Sequence, residues 1–326
     1  MSQDRPRQCS RDGALRVVFM GTPSFAAPVL DALNASPDVN LCGVFTPPDR
    51  PGGRGRLPIS PPVRLHALEL GVEVHQPPTL RSQQAQALLA SLEPDVIVVA
   101  AYGRFLPPPV LNLPPGGCLN LHPSLLPRHR GPSPVVTTIL EGDSATGVSL
   151  MLLDEGMDTG PVIASRGHQM AGNETAEALT EELFRIGSGL LMENLGPWAQ
   201  GELTARPQND DDATVTRKVE RDDGRANWSL SAVDLERRFR AYTPWPGLYS
   251  QWDGKLIKFL DVASLTDESG QGLPAGSVVH LSGPVPLGVV TGSGILALKT
   301  VQLEGRNSAT AADFLRGYPG IAGALL

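Results

Sequence analysis

Asp95-Val96-Ile97-Val98-Val99-Ala100-Ala101 decides the fold class. It is an unbroken apolar run, rich in β-branched residues, with no polar side chain alternating into it. A strand with one wet face alternates; a strand in a parallel sheet covered on both faces does not. Leu15 to Met20 and Val39 to Phe45 read as strands too, with a shorter one at Val72 to His75. Helical stretches lie between them: Phe25 to Leu33, Val63 to Leu70 and Ser82 to Leu92. Further on, Ser133 opens a helix through Leu140, Thr146 to Leu153 and Pro161 to Arg166 extend, and Thr175 to Ala199 is one long helix. Strands alternating with helices predict a Rossmann-like, doubly wound, mostly parallel sheet. Gly21-Thr-Pro-Ser24 is the first strand-to-helix turn, with Ser24 placed to cap the helix. The second and third glycines of a dinucleotide fingerprint are absent, so the turn reads as plain α/β architecture.

The next strand carries chemistry. In Cys118-Leu119-Asn120-Leu121-His122, two leucines alternate with an amide and an imidazole, so both polar groups leave one face. Pro123 cannot donate to a ladder and ends the strand. Open α/β sheets place ligands at the carboxyl ends of their strands. Ser124-Leu125-Leu126-Pro127 follows as a tight apolar loop suited to lining a small-molecule pocket. Downstream, Asp158 lies in a glycine-flanked loop, Gly156 to Gly160. An amide to hold an oxyanion, an imidazole to move a proton and a carboxylate to orient the imidazole suffice for acyl-type transfer. A buried Asn or His alone is more often structural; the three together match the requirements of a catalytic site. His122 and His129 do not read as metal ligands, because nothing supplies further ligands at zinc-like spacing.

At 326 residues the chain suits two domains. Its apolar runs are too short to span a bilayer. The polar start, residues 1–14, reads as a mobile tail without the apolar core of a secretory signal. Cys9, Cys42 and Cys118 are scattered, which suits free thiols in a reducing cytoplasm. A net charge of −7 argues against indiscriminate nucleic-acid binding, so any RNA contact must be concentrated on one face.

Residues 206–215 are polar and acidic without apolar periodicity, and separate a domain over 15–205 from one over 216–326. In the second, a helix over Ala232 to Ala241 ends at Thr243-Pro-Trp-Pro-Gly247. Short strand-like runs then alternate with turns such as Asp253-Gly254, which predicts a small β-barrel.

Asn120-Leu-His122-Pro-Ser-Leu-Leu-Pro127 with Gly156-Met-Asp158-Thr-Gly160 resembles the active-site signature of the 10-formyltetrahydrofolate-dependent formyltransferases. The resemblance runs from about Leu15 to the C-terminus. It implies a formyl transfer from 10-formyltetrahydrofolate with no metal, catalysed by Asn120, His122 and Asp158. The folate would bind along Ser124, Leu125, Leu126 and Pro127 and the strand end Tyr102-Gly103, with Leu126-Pro127 as a cis peptide. Pro48-Asp49-Arg50-Pro51-Gly52-Gly53-Arg54-Gly55-Arg56 resembles the loop that family members acting on methionyl-tRNA insert against the acceptor arm. Leu57 departs from that pattern, where a second basic residue is common. Trp228-Ser-Leu-Ser231 and Pro244-Trp-Pro-Gly247 resemble the OB-like C-terminal domain of the same members.

The implied acceptor is the α-amino group of initiator methionyl-tRNA, contacted by Arg50, Arg54, Arg56, Lys218, Arg221 and Arg225. Arg237, Arg238 and Arg240 form a further basic group, readable as a salt-bridged solvated face or as an RNA contact. A cytoplasmic monomer is the expected working unit. The alternatives are a folate formyltransferase acting on a small-molecule amine, which would lack the arginine loop and the C-terminal module, and an inactive RNA- or folate-binding relative.

Overall fold

The computed structural model describes residues 13–52, 57–266, 270 and 272–326. Nearly all of the 1–14 tail, together with Cys9, Arg54 and Arg56, lies outside them. Contacts divide the chain into two units: Met1–Pro134, Ala145–Gln169 and Thr180–Thr216; and Val135–Ser144, Met170–Leu179 and Arg217–Leu326.

Unit 1 is built on a seven-stranded sheet. Its strands are β1 (Leu15–Gly21), β2 (Val39–Phe45), β5 (Val74–His75), β6 (Val96–Ala100), β7 (Cys118–His122), β8 (Ala145–Leu152) and β9 (Val162–Gln169). The order is β5-β2-β1-β6-β7-β8-β9; the first five run parallel, and β8 and β9 are antiparallel additions. The short strands β3 (Arg50–Gly52) and β4 (Leu57–Ile59) pair as a separate ribbon, Arg50 opposite Ile59. Glycine and proline composition reads as loop there; the three residue pairs of the ribbon have no local signature in it.

All five residues of β6 are buried, as an unbroken apolar run requires. Its side chains alternate between two cores. Val96, Val98 and Ala100 join one cluster with Leu30 and Leu33 of α1 (Ala27–Ala35), Val63 of α2 (Pro62–Glu69), and Leu191 and Trp198 of α6 (Ala176–Ala199). Ile97 and Val99 join the other, with Leu89 of α3 (Gln83–Ser91) and Val110 of α4 (Pro108–Leu111). Helices therefore cover both faces, the doubly wound arrangement expected. The helix α5 (Pro134–Glu141) follows the β7 loop.

Ser82 caps α3 by accepting from the Ala85 N–H at 3.3 Å. Ser24 does not cap α1. A 3-10 turn occupies Ser24–Ala26, and α1 starts at Ala27 without a side-chain cap. Pro28 explains the later start: its missing N–H costs nothing in a first turn.

Unit 2 holds an antiparallel sheet of β10 (Leu248–Trp252), β11 (Lys255–Leu265), β12 (Val278–His280), β13 (Leu287–Val290), β14 (Ile295–Leu303) and β15 (Ser308–Thr310). The path is β10-β11-β14-β13-β12, with β15 on β14. Register shifts near Asp261 mark a bulge in β11, the device that bends a strand into a curled sheet. The helix α7 (Ala232–Tyr242) is capped by Ser231, whose hydroxyl accepts from the Asp234 N–H at 3.1 Å. Leu235 of α7 seats in the sheet's core with Phe259, Leu298 and Val301. The last helix, α8 (Ala311–Gly317), packs Phe314 into the same core. β15 and α8 were not read from the sequence, being only three and seven residues long. No helix among the described residues is long and apolar enough to cross a membrane.

Candidate active site

Strand β7 positions two of the three expected groups. Leu119 and Leu121 are buried in the sheet's core, which fixes the register and sends Asn120 and His122 to the other face. Asn120 lies opposite Val99 and Met151, and His122 opposite Ser149. Asn120 is half-buried, and its amide has no hydrogen-bond partner among the described residues. His122 is buried.

Both ring nitrogens of His122 have neighbours. Nε2 lies 2.9 Å from the His129 carbonyl. A carbonyl only accepts, so Nε2 carries a hydrogen and donates it. Nδ1 lies 3.6 Å from Asp158 Oδ2. In the neutral ring both atoms of that contact are acceptors. Burial holds the His122 pKa below its ordinary value; the Asp158 charge and the bond to His129 act the other way. In the neutral form the one N–H of the His122 ring is committed to the His129 carbonyl.

The Asp158 loop is held from several sides. Asp158 has φ +55° and His129 φ +59°, left-handed conformations that residues with a Cβ rarely adopt. Such conformations persist only where surrounding bonds over-determine them. Asp158 Oδ2 accepts from the Gly131 N–H at 2.8 Å. Gln208 donates its side-chain amide to the carbonyls of Asp158 (2.9 Å) and Gly160 (2.7 Å), and its Oε1 accepts from Arg130 Nε at 2.9 Å. Arg130 in turn pairs with Asp210 at 2.8 Å. A Cβ on Gly160 would sit 1.9 Å from the Leu152 carbonyl, so only glycine lets the loop return to the sheet. Gln208 and Asp210 fall in the acidic stretch 206–215, which is bonded onto unit 1 along its length: Arg206 pairs with Val162 and Val215 with Arg130.

The expected folate-side residues take different roles. Ser124 is buried and donates to the Arg128 carbonyl at 2.6 Å, closing the loop. Leu125, Leu126 and Pro127 are half-buried, and Leu126-Pro127 is cis. Leu126 is anchored by its N–H to Ser149 Oγ at 3.1 Å. The Tyr102 ring is buried in the α3–α4 core, so that residue offers its backbone to the strand end; Gly103 beside it is exposed. Of the basic residues, Arg50 is exposed on β3, and Lys218, Arg221 and Arg225 are exposed in unit 2 without ion pairs among the described residues. Arg217 pairs with Asp223 instead.

The fold is that of a formyl transferase. The family model described as "Formyl transferase" matches residues 15–195, and "Formyl transferase, C-terminal domain" matches residues 218–319. The chain is 46% identical over 304 residues to a methionyl-tRNA formyltransferase of Roseiflexus sp. (strain RS-1), covering 93% of this chain and 92% of that one. It is 45% identical over 303 residues to the methionyl-tRNA formyltransferase of Myxococcus xanthus, covering 93% and 95%. The chain belongs to the formyl transferase family and, within it, groups with the methionyl-tRNA formyltransferases.

Among solved structures, HypX from Aquifex aeolicus in complex with tetrahydrofolic acid matches with a TM-score of 0.62 at 17% identity, covering 96% of this chain and 49% of that one. The N-formyltransferase of Helicobacter canadensis, in complex with folinic acid and dTDP-3-aminofucose, matches with a TM-score of 0.60 at 16% identity, covering 87% and 99%. At these identities the likeness is one of fold.

Proposed function

We propose that the protein transfers the formyl group of 10-formyltetrahydrofolate to the α-amino nitrogen of methionyl-tRNA, in the cytoplasm. One observation carries the chemistry: an unpartnered Asn120 amide beside a His122–Asp158 pair at the carboxyl end of β7. The choice of acceptor rests on the relatives, which match through both domains.

The residues fit a folate-borne formyl group. Leu125, Leu126 and Pro127 offer a half-buried apolar wall, and Asn120 offers a free donor beside it. The amine nitrogen attacks the formyl carbon, the carbon–nitrogen bond to the folate breaks, and the amine's proton ends on the departing folate nitrogen. Asn120 donates to the oxygen as it gains charge. His122 Nδ1, beside the Asp158 carboxylate, accepts an N–H of the amine or the proton of a water that relays it. A free α-amino group titrates near about 7.7–8.0, so a usable neutral fraction exists at neutral pH. Arg50, Arg54, Arg56, Lys218, Arg221 and Arg225 supply the cationic contacts with RNA that a net charge of −7 does not.

Incubation with 10-formyltetrahydrofolate and either methionyl-tRNA or a small amine such as glycinamide ribonucleotide tests this. Formylation confined to methionyl-tRNA is expected; formylation of the small amine alone overturns the acceptor assignment.

A further inference from the structure

We propose that unit 2 carries an oxyanion pocket, formed by Arg237 and Arg240 of α7 and sized for a phosphate group. The two residues are three apart, so their side chains share one helix face. Both line a cavity of about 220 Å³, together with Thr138, Gly142 and the carboxylates Asp143 and Glu236.

No carboxylate forms an ion pair with Arg240 among the described residues, although the charges of Glu236 and Glu174 act on it from farther off. Arg240 Nη1 donates to the Glu174 carbonyl at 3.1 Å, a neutral acceptor. Its Nε is buried without a hydrogen-bond partner, and no carboxylate pairs with it, among the described residues. The two nearby carboxylates are used elsewhere. Glu174 accepts from the N–H groups of Ala171 (2.5 Å) and Gly172 (2.9 Å). Glu236 accepts from the Ser264 N–H at 2.9 Å and from its hydroxyl. Asp143, also at the cavity, is already engaged. Burial pushes the Arg240 guanidinium below its ordinary value, the mark of a cation that has lost water without gaining a full partner. Removing a charge from water is costly unless an opposite charge completes it.

Arg237 supplies the second fork. Its guanidinium lies over Gly142, where a Cβ would stand 2.7–2.9 Å from the guanidinium atoms. Its ion pair with Asp234 is long, 3.3 Å, and partly exposed, which makes it weak and easily exchanged. Two planar forks around one cavity match the oxygens of a phosphate. That phosphate is either a free ion or a group of the RNA acceptor's backbone. The second source rests on the methionyl-tRNA reading; the first does not.

The test uses the full chain. Thermal unfolding is followed with inorganic phosphate against chloride at matched ionic strength, for the wild type, Arg237→Gln and Arg240→Gln. Phosphate should raise the wild-type midpoint and leave both variants where chloride puts them. Arg237→Gln keeps the test open if Arg240→Gln does not fold. In parallel, KM for methionyl-tRNA should rise about tenfold in Arg237→Gln with kcat held, the loss of one charge-assisted bond. Phosphate that competes with methionyl-tRNA assigns the pocket to RNA. Phosphate that stabilises without competing, with KM unchanged in Arg237→Gln, assigns it to the free ion. No phosphate effect on the wild type, together with an unchanged KM in Arg237→Gln, overturns the pocket; so does equal stabilisation of all three proteins.

Discussion

His122 and Asp158 face each other as two acceptors: Nε2 is spent on the His129 carbonyl at 2.9 Å, and Nδ1 lies 3.6 Å from Asp158 Oδ2. In the neutral ring Nδ1 is therefore left as an acceptor beside a carboxylate. Burial reinforces this by favouring the neutral ring. The sign of the resulting pH effect is fixed. The unfolded His122 titrates near about 6.5 and takes a proton before the folded one does. Stability is fully present above that value and is lost as pH falls from it toward the depressed folded value. His122→Gln keeps a donor for the His129 carbonyl but does not titrate. Denaturation midpoints measured across this acidic window should slope less in His122→Gln than in the wild type; equal slopes would contradict the assignment.

Asn120 has no protein partner among the described residues, which suits a donor waiting for an oxygen that gains charge only in the transition state. Asn120→Ala should lower turnover on the order of a hundredfold or more, as loss of one oxyanion donor does. Folate affinity should change much less. A single-turnover rate close to wild type would remove Asn120 from the mechanism.

Gln208 makes the Asp158 loop what it is. Its amide N–H groups bind two carbonyls while its oxygen takes Arg130 Nε. Gln208→Glu keeps the size but sets an oxygen against the carbonyls of Asp158 and Gly160. Turnover should fall about tenfold or more, because misplaced reacting groups cost rate. Gln208→Ala should be milder, since it removes the bonds without adding repulsion. The two are separated by kcat at saturating substrates and by thermal midpoints. Gln208→Glu turning over as fast as the wild type would mean the loop is held without it.

The contrast between Gln208 and His122 shows how far the sequence could be read. His122 was legible because period-two alternation in β7 and the proline after it place a polar residue at a strand end. The covered sheet was legible in Val96 to Ala100 for a similar reason: local apolar pattern reports burial directly. Gln208 sits among acidic residues with no periodicity, and its role depends on Asp158, 50 positions away. Nothing local encodes such a bond. The commitment of His122 Nε2 was hidden likewise, because it depends on His129 adopting a left-handed backbone. Tyr102 enters through the family resemblance at its strand end; that its ring is buried is not encoded locally. Composition also misled at Arg50 to Ile59, where glycine and proline signalled loop and a paired ribbon formed.

The arginine segment gives the sharpest test of the acceptor. Arg50 is exposed on β3, and Arg54 and Arg56 fall in sequence between the two ribbon strands. Under the proposed function, this segment and the exposed Lys218, Arg221 and Arg225 are the expected cationic contacts of a chain whose net charge is −7. Arg54→Ala should lower kcat/KM on methionyl-tRNA by about 10- to 100-fold, the loss of one charged contact of about 1.5–3 kcal/mol. Part of that loss should appear in kcat, since the contact also positions the amine beside Asn120. The salt dependence of RNA binding should flatten by about one phosphate contact. Folate affinity should stay put, because no folate-side group is altered. Unchanged formylation of methionyl-tRNA would sink the assignment. So would a variant in which folate binding weakens as much as formylation slows, because the arginine would then serve the folate side of the site.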